Sequence, residues 1–261
     1  MDYTRINAKT WDRWSSDNWI WTVPVTHETY VSALKGEWEV LLTPTVNVPK
    51  EWFGDLTDKK VLGLASGGGH QGPVLTAAGA DVTIMDLSDA QLATEKMVAE
   101  REGYAINLVK ADMTQRFPFA DDSFDLIFHP VSNCYVADIA HVWRECFRVL
   151  KPGGRLLAGF TNPDLYLFND ADSVADIRVV NKLPYDSLAN LDKPSQKKRV
   201  AEEGYQFSHT MERQIGDQLK AGFLLKDFYE DFTTDDSYTL SHYFPLFFAS
   251  LAVKPADPHN I

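Results

Sequence analysis

From residue 58 to residue 161, short apolar runs alternate with segments whose apolar positions recur every three or four residues. The runs predict strands at 59–65, 81–86, 106–110, 122–129 and 155–160. The segments between them predict helices. One spans 71–78 and stops at Gly79; a second is capped by Ser88 and runs to about residue 102, with Gly103 as its stop. A third spans 137–150 and carries Ile139, Val142, Trp143, Cys146, Phe147 and Leu150 on one stripe, before Lys151-Pro-Gly-Gly154 breaks it. The alternation lapses over 162–207, which keeps two apolar clusters, 165–168 and 177–180. A helix at 209–221, a strand at 223–228 and a nearly all-apolar strand at 245–253 follow. Short apolar strands separated by helices predict an α/β protein with a parallel sheet covered on both faces.

Residues 1–57 follow another pattern. Six of the seven tryptophans lie there: Trp11, Trp14, Trp19, Trp21, Trp38 and Trp52. Thr26 caps a short helix over 26–34, and Pro24, Pro44 and Pro49 forbid a long regular element around them. The expected organisation is a Trp-rich cap (1–57), a nucleotide-binding core (58–161), an inserted cap over the ligand edge of the sheet (162–208) and a return to the sheet (209–261).

The chain has 261 residues, 44% hydrophobic and 24% charged, which predicts a globular core rather than disorder. A net charge of −12 repels phosphate backbones, so no nucleic-acid partner is expected. The basic run Lys197-Lys198-Arg199 reads as a solvated helix face. Two cysteines, Cys134 and Cys146, with no Cys-x-x-Cys, suit reduced thiols in a cytoplasmic protein and no metal site. Asp2, Arg5, Lys9 and Asp12 leave no apolar leader, and no uncharged run reaches the ~18 residues of a membrane span.

The chemistry starts at Val61-Leu-Gly-Leu-Ala-Ser-Gly-Gly-Gly-His-Gln-Gly72. Small residues run into three glycines and then into a helix start, the strand–turn–helix of a nucleotide-binding unit. Glycine suits it because a side chain would keep a ligand off the backbone. Asp86, at the end of the next apolar run, is placed to accept hydrogen bonds from both hydroxyls of a ribose.

The order of these motifs resembles the class I S-adenosylmethionine (SAM)-dependent methyltransferases, in their small-molecule group of the type 11 kind. The match covers about 58–161 well and 209–253 moderately. It implies a Rossmann-like, doubly wound, mainly parallel seven-stranded sheet with an antiparallel last strand. It also implies SAM as cofactor, with S-adenosylhomocysteine as product. The glycine loop supplies Ala65, Ser66, Gly67, Gly68, Gly69 and Gln71. Asp86, Leu87 and Gln91 serve the ribose, and Ala111-Asp112-Met113 holds adenine, with Asp112 toward its amino group. Phe117-Pro-Phe-Ala-Asp-Asp-Ser-Phe-Asp-Leu-Ile127 and Leu150-Lys-Pro-Gly-Gly154 resemble the approaches to the fourth and fifth strands. Two positions depart from the family. Gly63 replaces the usual acid that helps hold the methionine end of the cofactor, and Ala65 replaces a usual glycine.

The implied reaction is an SN2 transfer of methyl from the sulfonium to a small-molecule acceptor. His129, in His129-Pro-Val-Ser-Asn-Cys-Tyr135, is the side chain expected nearest the methyl. Either it contacts the cofactor and acts as a base, or it bonds a backbone carbonyl and shapes the pocket. Trp14 and Trp19 are read as an acceptor lid or as packing, with His27 beside them. Asn133, Tyr135 and Tyr243 complete the acceptor candidates, with Tyr238 and His242 close by. The Asn/Asp-Pro-Pro-Tyr/Phe tetrad of amino-methylating nucleic-acid enzymes is missing. Two alternatives are a SAM-binding sensor or assembly protein without transfer, and an NAD-dependent oxidoreductase. Gly63-x-Ala65-x-x-Gly68 disfavours the second, because it does not keep the dinucleotide glycine pattern.

Overall fold

The computed structural model describes residues 2–169, 171, 173–190, 194–233 and 239–256. Seven strands form one sheet: β1 (Lys60–Leu64), β2 (Asp81–Asp86), β3 (Asn107–Lys110), β4 (Phe124–His129), β5 (Leu150–Thr161), β6 (Leu224–Asp231) and β7 (Phe247–Val253). Their order is β3-β2-β1-β4-β5-β7-β6. β7 runs antiparallel to both its neighbours, and the other six strands are parallel. The winding reverses between β1 and β4, which leaves a crevice at the carboxyl ends of those strands.

Period-two alternation sorts the strands onto two faces. Val61, Leu126 and Leu157 pack with Val74 and Leu75 of α3 (Gln71–Ala77). Leu62, Ile127 and Leu156 pack with Ile139, Val142, Trp143 and Cys146 of α5 (Ile139–Val149). α4 (Asp89–Glu102) starts where expected: Ser88 Oγ accepts from the Gln91 N–H at 3.1 Å. Gly103 closes it at φ +76°, a conformation that costs a Cβ-bearing residue about 1 kcal/mol.

The N-terminal 57 residues do two different things. Val40, Leu42, Trp52 and Phe53 join the core against α3 and the sheet; Trp52 is 1% exposed and its Nε1 donates to Asp227 at 2.9 Å. α1 (Tyr3–Ser16) instead lies across the ligand end. Asp12 Oδ1 accepts from Ser88 Oγ and the Ala90 N–H, which ties α1 to the start of α4. Asn7 bonds the Tyr205 backbone in both directions, which ties α1 to the insertion. α2 (His27–Leu34) is capped by Thr26 as its sequence predicts. The insertion carries α6 (Pro194–Glu203), where Lys198 and Arg199 pair with Glu202 and Glu203 one turn on.

Two elements differ from expectation. Lys151-Pro-Gly-Gly154 does not separate helix from strand; it lies inside β5, and the register with β4 shifts between Phe124 and Leu126. Gly153, at φ +80°, donates to the Lys254 carbonyl and so fastens the end of β7. The helix expected at 209–221 begins as a π-helical turn, Glu212–Gly216, and becomes α-helical only at α7 (Asp217–Ala221). Among the described residues, no helix is long and apolar enough to cross a membrane.

Candidate active site

A cavity of about 990 Å³ lies just past the carboxyl ends of β1 to β5. That is the upper end of the roughly 300–1,000 Å³ usual for small-molecule sites, with room for two ligands. Over β1, β2 and β3 its wall is Ala65, Ser66, Gly67, Gln71, Asp86, Leu87, Gln91, Ala111, Asp112 and Met113. All were expected cofactor positions.

The geometry there is tight. Asp86 Oδ2 accepts from the Gly67 N–H at 3.0 Å, and Oδ1 from the Ser88 N–H at 2.9 Å. Leu87 adds a third backbone hydrogen bond, and the carboxylate, with about four acceptor positions, keeps capacity for a further donor. Burial pushes the Asp86 pKa up, against the pull of these backbone donors. A Cβ on Gly67 would stand 2.8 Å from Gln91 Cβ and 3.0 Å from Asp86 Oδ2, so the loop has no space for a side chain. Ala65, where the family prefers glycine, adopts φ +49° and carries that strain at the edge of the site. At Gly63 a Cβ would meet Ile84 Cδ1 at 2.5 Å, so the neighbouring strand fills the place of the family's acid. Ser66 Oγ, His70 Nε2 and Gln91 Nε2 belong to wall residues, are buried and have no hydrogen-bond partner.

Gly68 and Gly69 are not in the wall. Their φ values are +98° and +74°; Gly68 N–H donates to the Gln91 carbonyl and Gly69 N–H to Glu95 Oε2. They shape the loop from below. Glu95 is 0% exposed, and burial pushes its carboxyl up to about 8.

The other half of the cavity is built from distant segments. Leu165, Tyr166 and Phe168 come from the insertion, Leu240 from the approach to β7 and Phe247 from the first position of β7. Trp11, Trp14, Trp19, Trp21 and Tyr135 form an aromatic side. Trp14 and Trp19 ring centres are 4.5 Å apart, and Trp11 stands edge-on to Tyr135 at 5.6 Å. Trp14 and Trp19 thus pack against each other and line the cavity as well. Cys134 also lines this half, but burial pushes its thiol up to about 12, so no thiolate forms near neutrality.

Several expected residues are not brought to the cavity. His129 is 0% exposed; Nδ1 contacts the Leu64 carbonyl at 2.9 Å and Nε2 contacts Asn133 Oδ1 at 2.7 Å. Its burial lowers its pKa, and both nitrogens are spent joining β1 to the β4 loop, the backbone-shaping role. Asn133 is buried with it and donates to Gln214. His27 pairs with Glu102 at 2.7 Å, and Tyr243 is 61% exposed outside the wall. Tyr238 lies outside the described residues. The sequence reading passed over His70, Tyr166, Phe168 and Leu240. His70 directly follows the glycine run, which was a usable signal; the others lie in segments without periodicity.

Comparison with known proteins settles the family. A model described as a methyltransferase domain matches residues 62–158. The chain is 42% identical over 250 residues to the uncharacterized methyltransferase YbaJ of Bacillus subtilis, covering 95% of this chain and 97% of that protein. The chain belongs to the class I SAM-dependent methyltransferases. The solved SAM-dependent methyltransferase from Mesorhizobium loti shares the fold, with a TM-score of 0.61 at 19% identity over 78% of this chain and 94% of that one. The geranyl diphosphate C-methyltransferase of Streptomyces coelicolor, solved with Mg²⁺, geranyl diphosphate and S-adenosylhomocysteine, gives a TM-score of 0.55 at 14% identity, over 78% and 76%. As in other class I methyltransferases, the sheet has six parallel strands and an antiparallel last one.

Proposed function

We propose that this methyltransferase binds SAM over β1–β3 and passes its methyl to a neutral, largely apolar small molecule over β4, β5 and β7. One observation carries the reading: a single cavity joins the Gly67–Asp86 cradle to an aromatic and aliphatic chamber. Bound SAM would supply a methyl already activated by the sulfonium charge. Asp86 would hold the ribose hydroxyls, Asp112 the adenine amino group, and Leu87 and Met113 the adenine faces. The cradle fits such a group, because Asp86 keeps capacity for a further donor and Gly67 has no room for a Cβ.

The chamber's task is alignment and exclusion of water. Trp14 and Trp19 cover it, and Tyr166 and Phe168 give it flat apolar surface. Among the described residues the wall has one arginine or lysine, Arg199, and its Nε is paired with Glu203 at 2.9 Å. Glu39 and Glu202 stand in the same wall. A phosphate or carboxylate on the acceptor would thus face carboxylates, which disfavours anionic acceptors. His129 is buried with both ring nitrogens in contact with other groups, so it is not the base for an acceptor that must lose a proton.

Incubating the protein with methyl-labelled SAM and a fractionated metabolite extract tests this. Label should enter neutral, organic-extractable small molecules. Label confined to anionic or macromolecular fractions would overturn the acceptor class. SAM binding with no transfer at all would favour a sensor.

A further inference from the structure

α1 turns one face to the cavity: Thr4, Asn7, Ala8, Trp11 and Trp14, at the three- and four-residue spacing of a helix. Asn7 is the odd member. It is 5% exposed, and a buried amide costs stability unless its polar atoms find partners. Its partners are main-chain atoms of two segments far away in sequence. Nδ2 donates to the Tyr205 carbonyl at 3.0 Å and to the Tyr135 carbonyl at 3.3 Å, and Oδ1 accepts from the Tyr205 N–H at 2.7 Å.

Tyr135 stands in the turn after β4, and Tyr205 in the insertion. Those two segments are also joined to each other. The Phe207 N–H donates to the Cys134 carbonyl at 2.7 Å, and His209 Nε2 contacts the Val136 carbonyl at 2.8 Å. One side chain of α1 thus closes a junction of three segments. The insertion makes room for it. Gly204 adopts φ +77°, and a Cβ there would stand 2.7 Å from Asn7 Oδ1.

Each of the three segments carries part of the chamber wall: Trp11 and Trp14 on α1, Cys134 and Tyr135 after β4, and Gln206 in the insertion. Tyr135 is held to α1 twice, by its carbonyl on Asn7 and by its ring, whose centre is 5.6 Å from that of Trp11 and 6.4 Å from that of Trp14. Gln206 follows Tyr205 and accepts from the Tyr166 hydroxyl at 3.1 Å. The other anchor of α1, Asp12, lies on the cofactor side, at Ser88 and Ala90. A leucine at position 7 would fill the space, but it would leave two carbonyls and an N–H without the amide that now meets them. Apolar packing holds a helix down; directed hydrogen bonds also fix where along its axis it sits.

We propose that Asn7 is a positioning residue for methyl transfer: its amide sets α1, the turn after β4 and the insertion in register, and so keeps Trp11, Tyr135 and Gln206 as one closed wall around the acceptor. The proposal rests on the acceptor-chamber reading above.

Two substitutions open the junction from opposite sides. Asn7→Leu keeps the volume and removes the bonds; Gly204→Ala keeps Asn7 and pushes on its amide. In the folded variants, turnover of methyl-labelled SAM with the metabolite fraction that the wild type methylates should fall about tenfold, the scale of a slightly misplaced reactant, while the apparent KM for SAM and the calorimetric affinity for S-adenosylhomocysteine stay within about twofold. Acrylamide quenching of tryptophan fluorescence should rise, because Trp11 stands at the junction; Trp52 and Trp143 are fully buried elsewhere. A lower thermal transition with wild-type turnover and quenching would reduce Asn7 to a structural residue. A parallel loss of S-adenosylhomocysteine affinity would mean that it acts on the cofactor half. Either result overturns the proposal. If Asn7→Leu does not fold, Gly204→Ala carries the same test. A wild type that transfers label to no fraction would instead overturn the acceptor-chamber reading itself.

Discussion

Over β1, β2 and β3 the cavity wall is main chain, the carboxylates of Asp86 and Asp112, short polar side chains, Leu87 and Met113; over β4, β5 and β7 it is mostly rings and branched aliphatics. The first half comes from three consecutive strand ends within 65–114. The second is gathered from α1, the insertion and the approach to β7, up to 240 residues apart in sequence. On the proposed reading, the contrast follows from what each half would hold. A ribose and an adenine amino group need donors and acceptors at fixed positions, and strand ends supply fixed positions. An apolar acceptor needs excluded water and surface, which many side chains can supply. Cofactor affinity and methyl transfer should therefore be separable by mutation.

The largest expected effect is on the cofactor half. Gly67→Val places a branched side chain against Gln91 and the Asp86 carboxylate, and should abolish measurable SAM binding in a folded protein. Normal binding would mean that the loop does not contact the ligand.

The tryptophans come next, because they span both kinds of surface. Trp52→Ala empties a fully buried site and should cost about 3–5 kcal/mol of stability in urea unfolding. Trp14→Ala, on the cavity wall, should cost less stability, lower turnover about tenfold and leave SAM affinity within about twofold. A Trp14 variant with full turnover per folded molecule would reduce that wall to packing.

The most gradual effect is a pH slope from beneath the glycine loop. Burial raises the Glu95 carboxyl from 4.5 to about 8. Between those values the folded chain keeps a proton that the unfolded chain has released, so stability falls as pH rises, by up to ~1.4 kcal/mol per unit, and levels off above pH 8. Glu95→Gln keeps an acceptor for the Gly69 N–H and has no proton to lose. Urea midpoints from pH 5 to 8 should slope less in the variant than in wild type; equal slopes would place the pH dependence elsewhere.

The wall over β1–β3 was legible in the sequence because its signals are local. A glycine run after an apolar strand, an acid at the end of the next strand and Asp112 after the third stand close in sequence and also meet in space. Local patterns also gave the Ser88 cap and the Gly103 stop, since capping depends on a few neighbouring residues. The acceptor half was not legible. Tyr166 and Phe168 lie in 162–207, where no period marks a face, and only the fold brings them into the same cavity wall as Trp14. His129 misled because the end of β4 adjoins the cavity: position along the strand is visible in the sequence, but the direction of the side chain is not, and this one turns inward to the Leu64 carbonyl. The Lys151-Pro-Gly-Gly154 break was recognisable as a turn. Its continuity with β5 depends on pairing with β4 and Lys254, which no local rule contains.

The central claim is that Asp86 and the loop it fastens hold SAM independently of the acceptor chamber. Titrating SAM calorimetrically into folded Asp86→Ala tests it most directly. The account predicts about ten- to a hundredfold weaker binding, the scale of lost charge-assisted hydrogen bonds, with the thermal transition still cooperative. Wild-type affinity in that variant would contradict it.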